Sequence, residues 1–212
     1  MKKRALFAAG GVLFLLVAMQ IVGPWLAGKK VKSMLDGRGH VVSADVSAFP
    51  AIKLLWHKAD SVTVHMSTLK LGTGDIGAEL DETRDAGKVN VVIDDGTLGP
   101  LHVRNIEFHK SGDRLSSSAS VTEADLSSVL AGVNVVPVAA GDGALILRGS
   151  ALGMSADARL AASDGKLRIS PAGLFGGFLA VTVFEDPRVV VTGVDGKVDP
   201  GGFTLTADGH LP

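Results

Sequence analysis

The chain has no cysteine, no tyrosine, only 8 prolines, and aromatic residues at 5 % of its 212 positions. Each shortage excludes something. Without cysteine there is no disulfide framework, no thiol nucleophile, no zinc thiolate and no lipoprotein anchor. With so few aromatics the interior has to be built from Val, Leu, Ile and Ala, which suits short strands and an aliphatic lining. A charge excess is missing too. The formal net charge is −1, so the basic field that a phosphate backbone demands is absent and no nucleic-acid partner is expected.

Catalytic patterns are equally scarce. The sequence holds no G-x-S-x-G elbow and no H-E-x-x-H pair, the arrangements that expose a serine nucleophile or seat a zinc ion. The six histidines, His40, His57, His65, His102, His109 and His210, are scattered. His102 and His109 stand seven apart in strand-like sequence, which puts them on opposite sides of a continuous strand, at surface positions. Asp94-Asp95 and Glu185-Asp186 read as carboxylates that alternate faces or decorate turns. No nucleophile, base and orienting group come together, so the chain is expected to be non-catalytic, with no metal and no cofactor.

What the chain does have is an uncharged run of 24 residues, Ala5 to Gly28, directly after Lys2, Lys3 and Arg4. At about 1.5 Å per residue a helix of that length crosses a hydrocarbon core of roughly 30 Å with some tilt. A cleaved secretory signal carries a shorter apolar stretch, about 7–15 residues, and a small-x-small site. Here Gln20, Pro24 and Trp25 interrupt the end, and Leu26-Ala27-Gly28 lacks the first small residue. Residues 1–28 are therefore read as a signal anchor or transmembrane helix. Lys29, Lys30 and Lys32 nearly balance the positive charge before the run, but a basic n-region followed by an apolar h-region is an export pattern, and long following domains translocate largely regardless of charge. The rest of the chain is expected outside the cytoplasm, on the periplasmic or envelope side of the membrane.

Residues 29–39 continue the helical tendency to Leu35 and break at Asp36-Gly37-Arg38-Gly39, a juxtamembrane helix and linker. Residues 40–212 form one domain. His40 to Ala48 alternates with Val42, Ala44, Val46 and Ala48 on the apolar side. Phe49-Pro50 stops that strand, because proline has no amide hydrogen for a ladder. Val62, Val64 and Met66, then Leu69 and Leu71, alternate with a change of phase that a bulge near Ser67-Thr68 reconciles. Gly72-Thr73-Gly74-Asp75-Ile76-Gly77 matches G-x-G-x-x-G, yet only about two helical turns follow before Gly87, too short to cover a parallel sheet. It reads as a glycine-rich hairpin connection rather than a nucleotide site.

From Lys88 on, the pattern is strongly β. Val89, Val91 and Ile93 alternate, Asp94-Asp95-Gly96 is expected to turn the chain, and Leu101, Val103, Ile106 and Phe108 precede a turn at Ser111-Gly112-Asp113. Leu115 to Val121 is a strand with Ser116, Ser118 and Ser120 on one face. Thr122 caps a helix, with Asp125 three residues on as in a capping box, and Leu126, Val129 and Leu130 give it an apolar stripe before Gly132. Strands follow to the end of the chain, punctuated by Asp142-Gly143, Asp164-Gly165 and Asp195-Gly196, strong hairpin signals. The fold class is mainly β (α+β), an antiparallel meander around one or two helices.

Ser47-Ala48-Phe49-Pro50, followed by Lys58-Ala59-Asp60-Ser61-Val62-Thr63-Val64, resembles the LmeA-like family of bacterial envelope phospholipid-binding proteins. Val121-Thr122-Glu123-Ala124-Asp125-Leu126 and the closing Val191-Thr192-Gly193-Val194 and Gly202-Phe203-Thr204-Leu205 are similar to it as well. The pattern covers roughly Val31 to Leu211. It departs at Trp56-His57-Lys58, where the family often has glycine, and in the longer Gly72 to Gly87 connection. The resemblance implies a curved antiparallel sheet wrapped on a helix, similar to tubular lipid-binding domains, that holds acyl chains in an aliphatic groove. Each buried methylene contributes about 0.8 kcal/mol, so no charged triad is required.

Two stretches are candidates for touching lipid. The first contains Phe49, Ile52, Leu54, Leu55 and Trp56, with Lys53 and Lys58 placed to meet headgroup phosphates. The second, Pro171 to Leu179, offers Leu174, Phe175, Phe178 and Leu179 around paired glycines. The bland reading of any one of these residues is core packing. The function expected is that of a membrane-anchored, extracytoplasmic protein binding phospholipid or another envelope lipid. The alternative is an envelope scaffold that binds another protein through its sheet.

Overall fold

Among the described residues, alternation becomes twelve strands in two sheets. The computed structural model describes residues 25–33, 35, 37–56, 58–71, 84–98, 101–129, 134–141, 144–151, 154–171 and 181–212. Residues 25–33 are helical (α1), and the strands that follow are β1 (Gly39–Ser47), β2 (Ser61–Leu71), β3 (Lys88–Leu98), β4 (Leu101–Ser111) and β5 (Arg114–Thr122). A short helix α2 (Glu123–Val129) leads to β6 (Asn134–Gly141), β7 (Ala144–Ala151), β8 (Met154–Ser163), β9 (Lys166–Pro171) and β10 (Val181–Phe184). β11 (Val190–Asp199) and β12 (Gly202–His210) close the chain. The larger sheet has the order β1-β2-β3-β4-β5-β12-β11, and the smaller the order β10-β9-β8-β7-β6.

The fold is mainly β, as the alternation requires, but the arrangement differs from a single antiparallel sheet on a helix. β2 and β3 are parallel, pairing Ser61 with Lys88 through to Leu71 with Leu98. Their connection is therefore a crossover from one end of the sheet to the other, and the hairpin expected across Gly72 to Gly87 is corrected; residues 72–83 lie outside the described residues. Parallel neighbours cannot be joined by a tight turn. The second correction is the separate five-stranded sheet, whose strands contact β11 and β12 and share a core with the larger one.

Bulges run across the larger sheet. The register slips around Val41, which buries Val41 completely and leaves Val42 50 % exposed, the reverse of simple alternation from His40. The slip at Ser67 on β2 is the expected one. On β4, Asn105 takes φ of 50° and the β4–β5 register shifts between Arg104 and Glu107. An extra residue bends a strand and resets which side chains face inward. For that reason Val103 and Lys110, seven apart, are both buried.

Two of the expected turns are strand interior. β3 runs straight through Asp94-Asp95-Gly96 and β11 through Asp195-Gly196. Both glycines serve packing: a Cβ on Gly96 would stand 2.8 Å from Ile106 Cδ1, and one on Gly196 would stand 2.9 Å from Leu145 Cδ1. Asp164-Gly165 is a true hairpin turn, with φ of 53° and 75° at its two residues, as a type I′ turn requires. Gly112 turns β4 into β5 with φ of 59°. Residues 142–143 lie outside the described residues, between β6 and β7, which pair up to Gly141 with Ala144.

The inner face of the larger sheet is covered in two ways. Val103, Val121 and Phe203 pack against Val135, Leu145, Leu147 and Leu160 of the smaller sheet. Val41, Val64, Met66, Leu69 and Ile93 instead pack under Val31 and Leu35 of the N-terminal segment. Among the described residues no helix is long and apolar enough to cross a membrane. The greater part of the uncharged run, residues 5–24, lies outside the described residues.

Candidate functional site

The Phe49 segment is built from the end of β1. Ser47 and Ser61 hydroxyls meet at 2.7 Å, and the Asp60 amide donates to Ser47 O at 2.8 Å, which brings the start of β2 back beside the end of β1. Between them, residues Ala51–Trp56 form a 3-10 turn. The Asp60 carboxylate accepts the Phe49 amide hydrogen and lies 2.9 Å from Lys53 Nζ. The Phe49 amide and then Lys53 hold the Asp60 carboxyl below its ordinary pKa.

Ala48 and Ala51 are buried on either side, while Phe49 is 74 % exposed. A large ring thus stands in water on a clamped backbone. Leu54 is half-buried and Lys58 is exposed. Lys53 is engaged by Asp60 rather than offered freely to an anion. The side chains of Ile52, Leu55 and Trp56 lie outside the described residues, as do residue 57 and, past Pro171 at the end of β9, the second stretch with Leu174, Phe175, Phe178 and Leu179.

A polar network that sequence reasoning did not assemble lies on the outer face. The bulges place Asp94 and Asp95 on the same face, each with its own histidine: His65 Nε2 is 3.0 Å from Asp94, and His102 Nε2 is 2.7 Å from Asp95. His102 Nδ1 faces Asp125 at 3.4 Å and Arg104 at 3.1 Å, and Arg104 reaches Asp125 at 3.2 Å. The Asp125 amide donates to Thr122 Oγ1 at 3.1 Å, and the Thr122 hydroxyl donates to the Asp125 carboxylate, which forms the expected cap of α2. The hydrogen bond to Asp95 raises the His102 pKa, and Thr122, ahead of Arg104, lowers that of Asp125. Both ring nitrogens of His102 face protein groups, so the network ties β3 and β4 to α2. His102 and His109 share this outer face, correcting the expectation of opposite sides, because the Asn105 bulge restores the phase.

Further along the outer face, His109, Arg114, Ser116, Thr192, Asp208 and His210 line an open cleft of about 570 Å³. Sequence could not reveal it, because Arg114 meets His210 only through the β5–β12 register. Its neighbour across the sheet interior, Lys110, is 3 % exposed and donates to Ala86 O at 2.6 Å and Arg84 O at 3.2 Å. Burial lowers its pKa. The alternation Ile106, Phe108, Lys110 was the available signal for that inward lysine. Among the described residues no cluster of His, Asp and Glu could hold a metal ion.

Comparison with protein-family models, with curated proteins and with solved structures returns no match for this chain.

Proposed function

We propose that this chain is a membrane-anchored, extracytoplasmic, non-catalytic protein of LmeA-like type that binds phospholipid or another envelope lipid. The observation that carries the reading is Phe49, 74 % exposed while its amide is clamped by Asp60. An exposed aromatic on a fixed backbone gains by entering an apolar medium, where its body leaves water. The aliphatic inner face of the larger sheet is filled by its own packing, with Val31 and Leu35 over Val41, Val64 and Met66, so this reading puts lipid at Phe49 and not in an open groove. Residues 5–24, uncharged throughout, supply the length of a bilayer span.

A scaffold that binds a protein by strand addition is the competing reading. β6 is an edge strand and exposes Val138. Pro137 in the same strand has no amide hydrogen and blunts that edge, which favours lipid. The test is native mass spectrometry with lipid extraction on residues 25–212 from a bacterial envelope, beside a Phe49→Asp variant with unchanged circular dichroism. Stoichiometric lipid on the parent and loss on the variant are expected. A folded parent that carries none, and takes none from vesicles, gives the scaffold first place.

A further inference from the structure

The N-terminal helix does not end in a loose tether. Gly28, Val31 and Leu35 recur at i, i+3 and i+7 and so share one helix face. Val31 and Leu35 pack on the Val41–Met66 core, and Gly28 is buried against β1, where a Cβ would stand 2.5 Å from Ala44 O. From Gly28, beside Ala44, the chain runs along the helix, turns where the Arg38 amide donates to Leu35 O at 2.9 Å, and re-enters β1 at Gly39. To pass Ala44 twice within that length, α1 and β1 must be antiparallel. They form a helix–strand hairpin, with the Trp25 end of α1 toward the Ser47 end of β1.

That end is one continuous row of the larger sheet. Ser47 pairs with Ser61, Ser61 with Lys88, Lys88 with Ser111, Ser111 with Arg114, Arg114 with His210 and His210 with Val190. Beside it stand Phe49, Trp25 at 59 % exposure and Leu26 at 53 %. Cations accompany them: Lys29 Nζ sits 3.8 Å from the Trp25 ring centroid, and Lys58 is exposed. Amphipathic aromatics beside lysines are what a lipid–water interface accommodates. Trp25, which follows the 20 uncharged residues 5–24 in sequence, stands at this same end.

We propose that the Ser47–Lys88 end of the larger sheet rests on the bilayer that holds residues 5–24, with Trp25, Leu26 and Phe49 in the interface and Lys29 and Lys58 on lipid phosphates. The packed hairpin holds the domain upright, so the distance and tilt to the membrane are set by the fold. This rests on the anchor reading, and the experiment separates the two. The full chain is reconstituted in phosphatidylcholine–phosphatidylglycerol vesicles with Trp25 and Trp56, its two tryptophans, changed to Phe. A single reporter is then installed as Phe49→Trp or, at the opposite end of β11, as Val198→Trp.

With lipids brominated on their acyl chains, the Phe49→Trp reporter is expected to lose most of its emission and to shift to shorter wavelength, and the Val198→Trp reporter to keep its emission. Adding Gly28→Leu, which the Ala44 carbonyl cannot accommodate beside α1, is expected to reduce that quenching while the chain still floats with vesicles after an alkaline wash. A chain that floats with equal emission from both reporters overturns the orientation and leaves the anchor. Undiminished quenching with Gly28→Leu overturns the packed hairpin as its cause. A chain that does not float overturns the anchor, and the orientation with it.

Discussion

The two halves of the larger sheet bury the same kind of face by different means. Around β1, β2 and β3 the cover is a helix segment, the pairing is mixed, and the bulges crowd together. Around β5, β12 and β11 the pairing is antiparallel throughout and the cover is a second sheet. β5 and β12 keep register over their full length, without a bulge. The difference shows where apolar alternation suffices and where it does not. A sheet packed on a sheet needs matched aliphatic faces, an occasional glycine for close approach, such as Gly196 under Leu145, and single register shifts, as between Val191 and Gly193 and between Pro137 and Ala139. The sheet under a helix adds a parallel pair and polar clamps.

The sharpest way to break that contrast is Leu145→Ala. Leu145 is fully buried at the centre of the sheet-on-sheet core, and such a truncation costs about 2–5 kcal/mol. Urea unfolding measures the loss, and hydrogen exchange localises it: β6 to β9 are expected to lose protection before β1 to β3. Equal loss in both halves would show that they unfold as one unit.

Lys110→Met tests the helix-covered half. It removes the donor to the Arg84 and Ala86 carbonyls that fastens the returning crossover beside β3, and a buried acceptor left unpaired, here the Ala86 carbonyl, costs about 1–3 kcal/mol. A lower urea midpoint is expected. A higher one would mean that burying the ammonium costs more than its two hydrogen bonds return.

His102→Gln has the smallest expected effect, visible mainly as pH dependence. The His102 pKa is raised in the folded protein, chiefly by Asp95. Its stabilising contribution is therefore complete below the ordinary histidine value of about 6.5 and is lost as pH rises through the raised value. Melting temperatures of parent and variant should differ most in mild acid and converge in mild base. Parallel curves across that range would remove the Asp95–His102 pair from the stability account.

Much of the strand content was legible because period-two alternation is a direct imprint of half-buried strands. Ser67-Thr68 announced its bulge by a phase change, and Thr122 with Asp125 announced a helix cap. The misreadings came from signals with two physical causes. Asp-Gly reads as a turn because glycine tolerates positive φ, as at Gly165, yet Gly96 and Gly196 are present for lack of a Cβ. Sequence alone does not distinguish those uses. Nor does it contain sheet partnership: the parallel β2–β3 pair, the outer-face His102 network and the cleft beside Arg114 all depend on which strands lie together. Of the apolar side chains in the first lipid-contact stretch, Phe49 stands out in water while Leu54 is half-buried.

The pairing of β5 with β12 has a consequence for the order in which this protein can be made. Arg114 finds its strand partner in His210, and everything from α2 to the end of β11 is threaded between them. A chain that emerges N-terminus first can assemble the α1–β1 hairpin and β1 through β5 early, but β5 keeps an open edge until the last strand arrives. Such distant pairing is slow to form and leaves a sticky edge meanwhile. The serines along β5, with Ser116 opposite Asp208 and Ser120 opposite Thr204, give that waiting strand a hydrophilic outer face. The final nine-residue strand, β12, is thus the seam that closes the larger sheet.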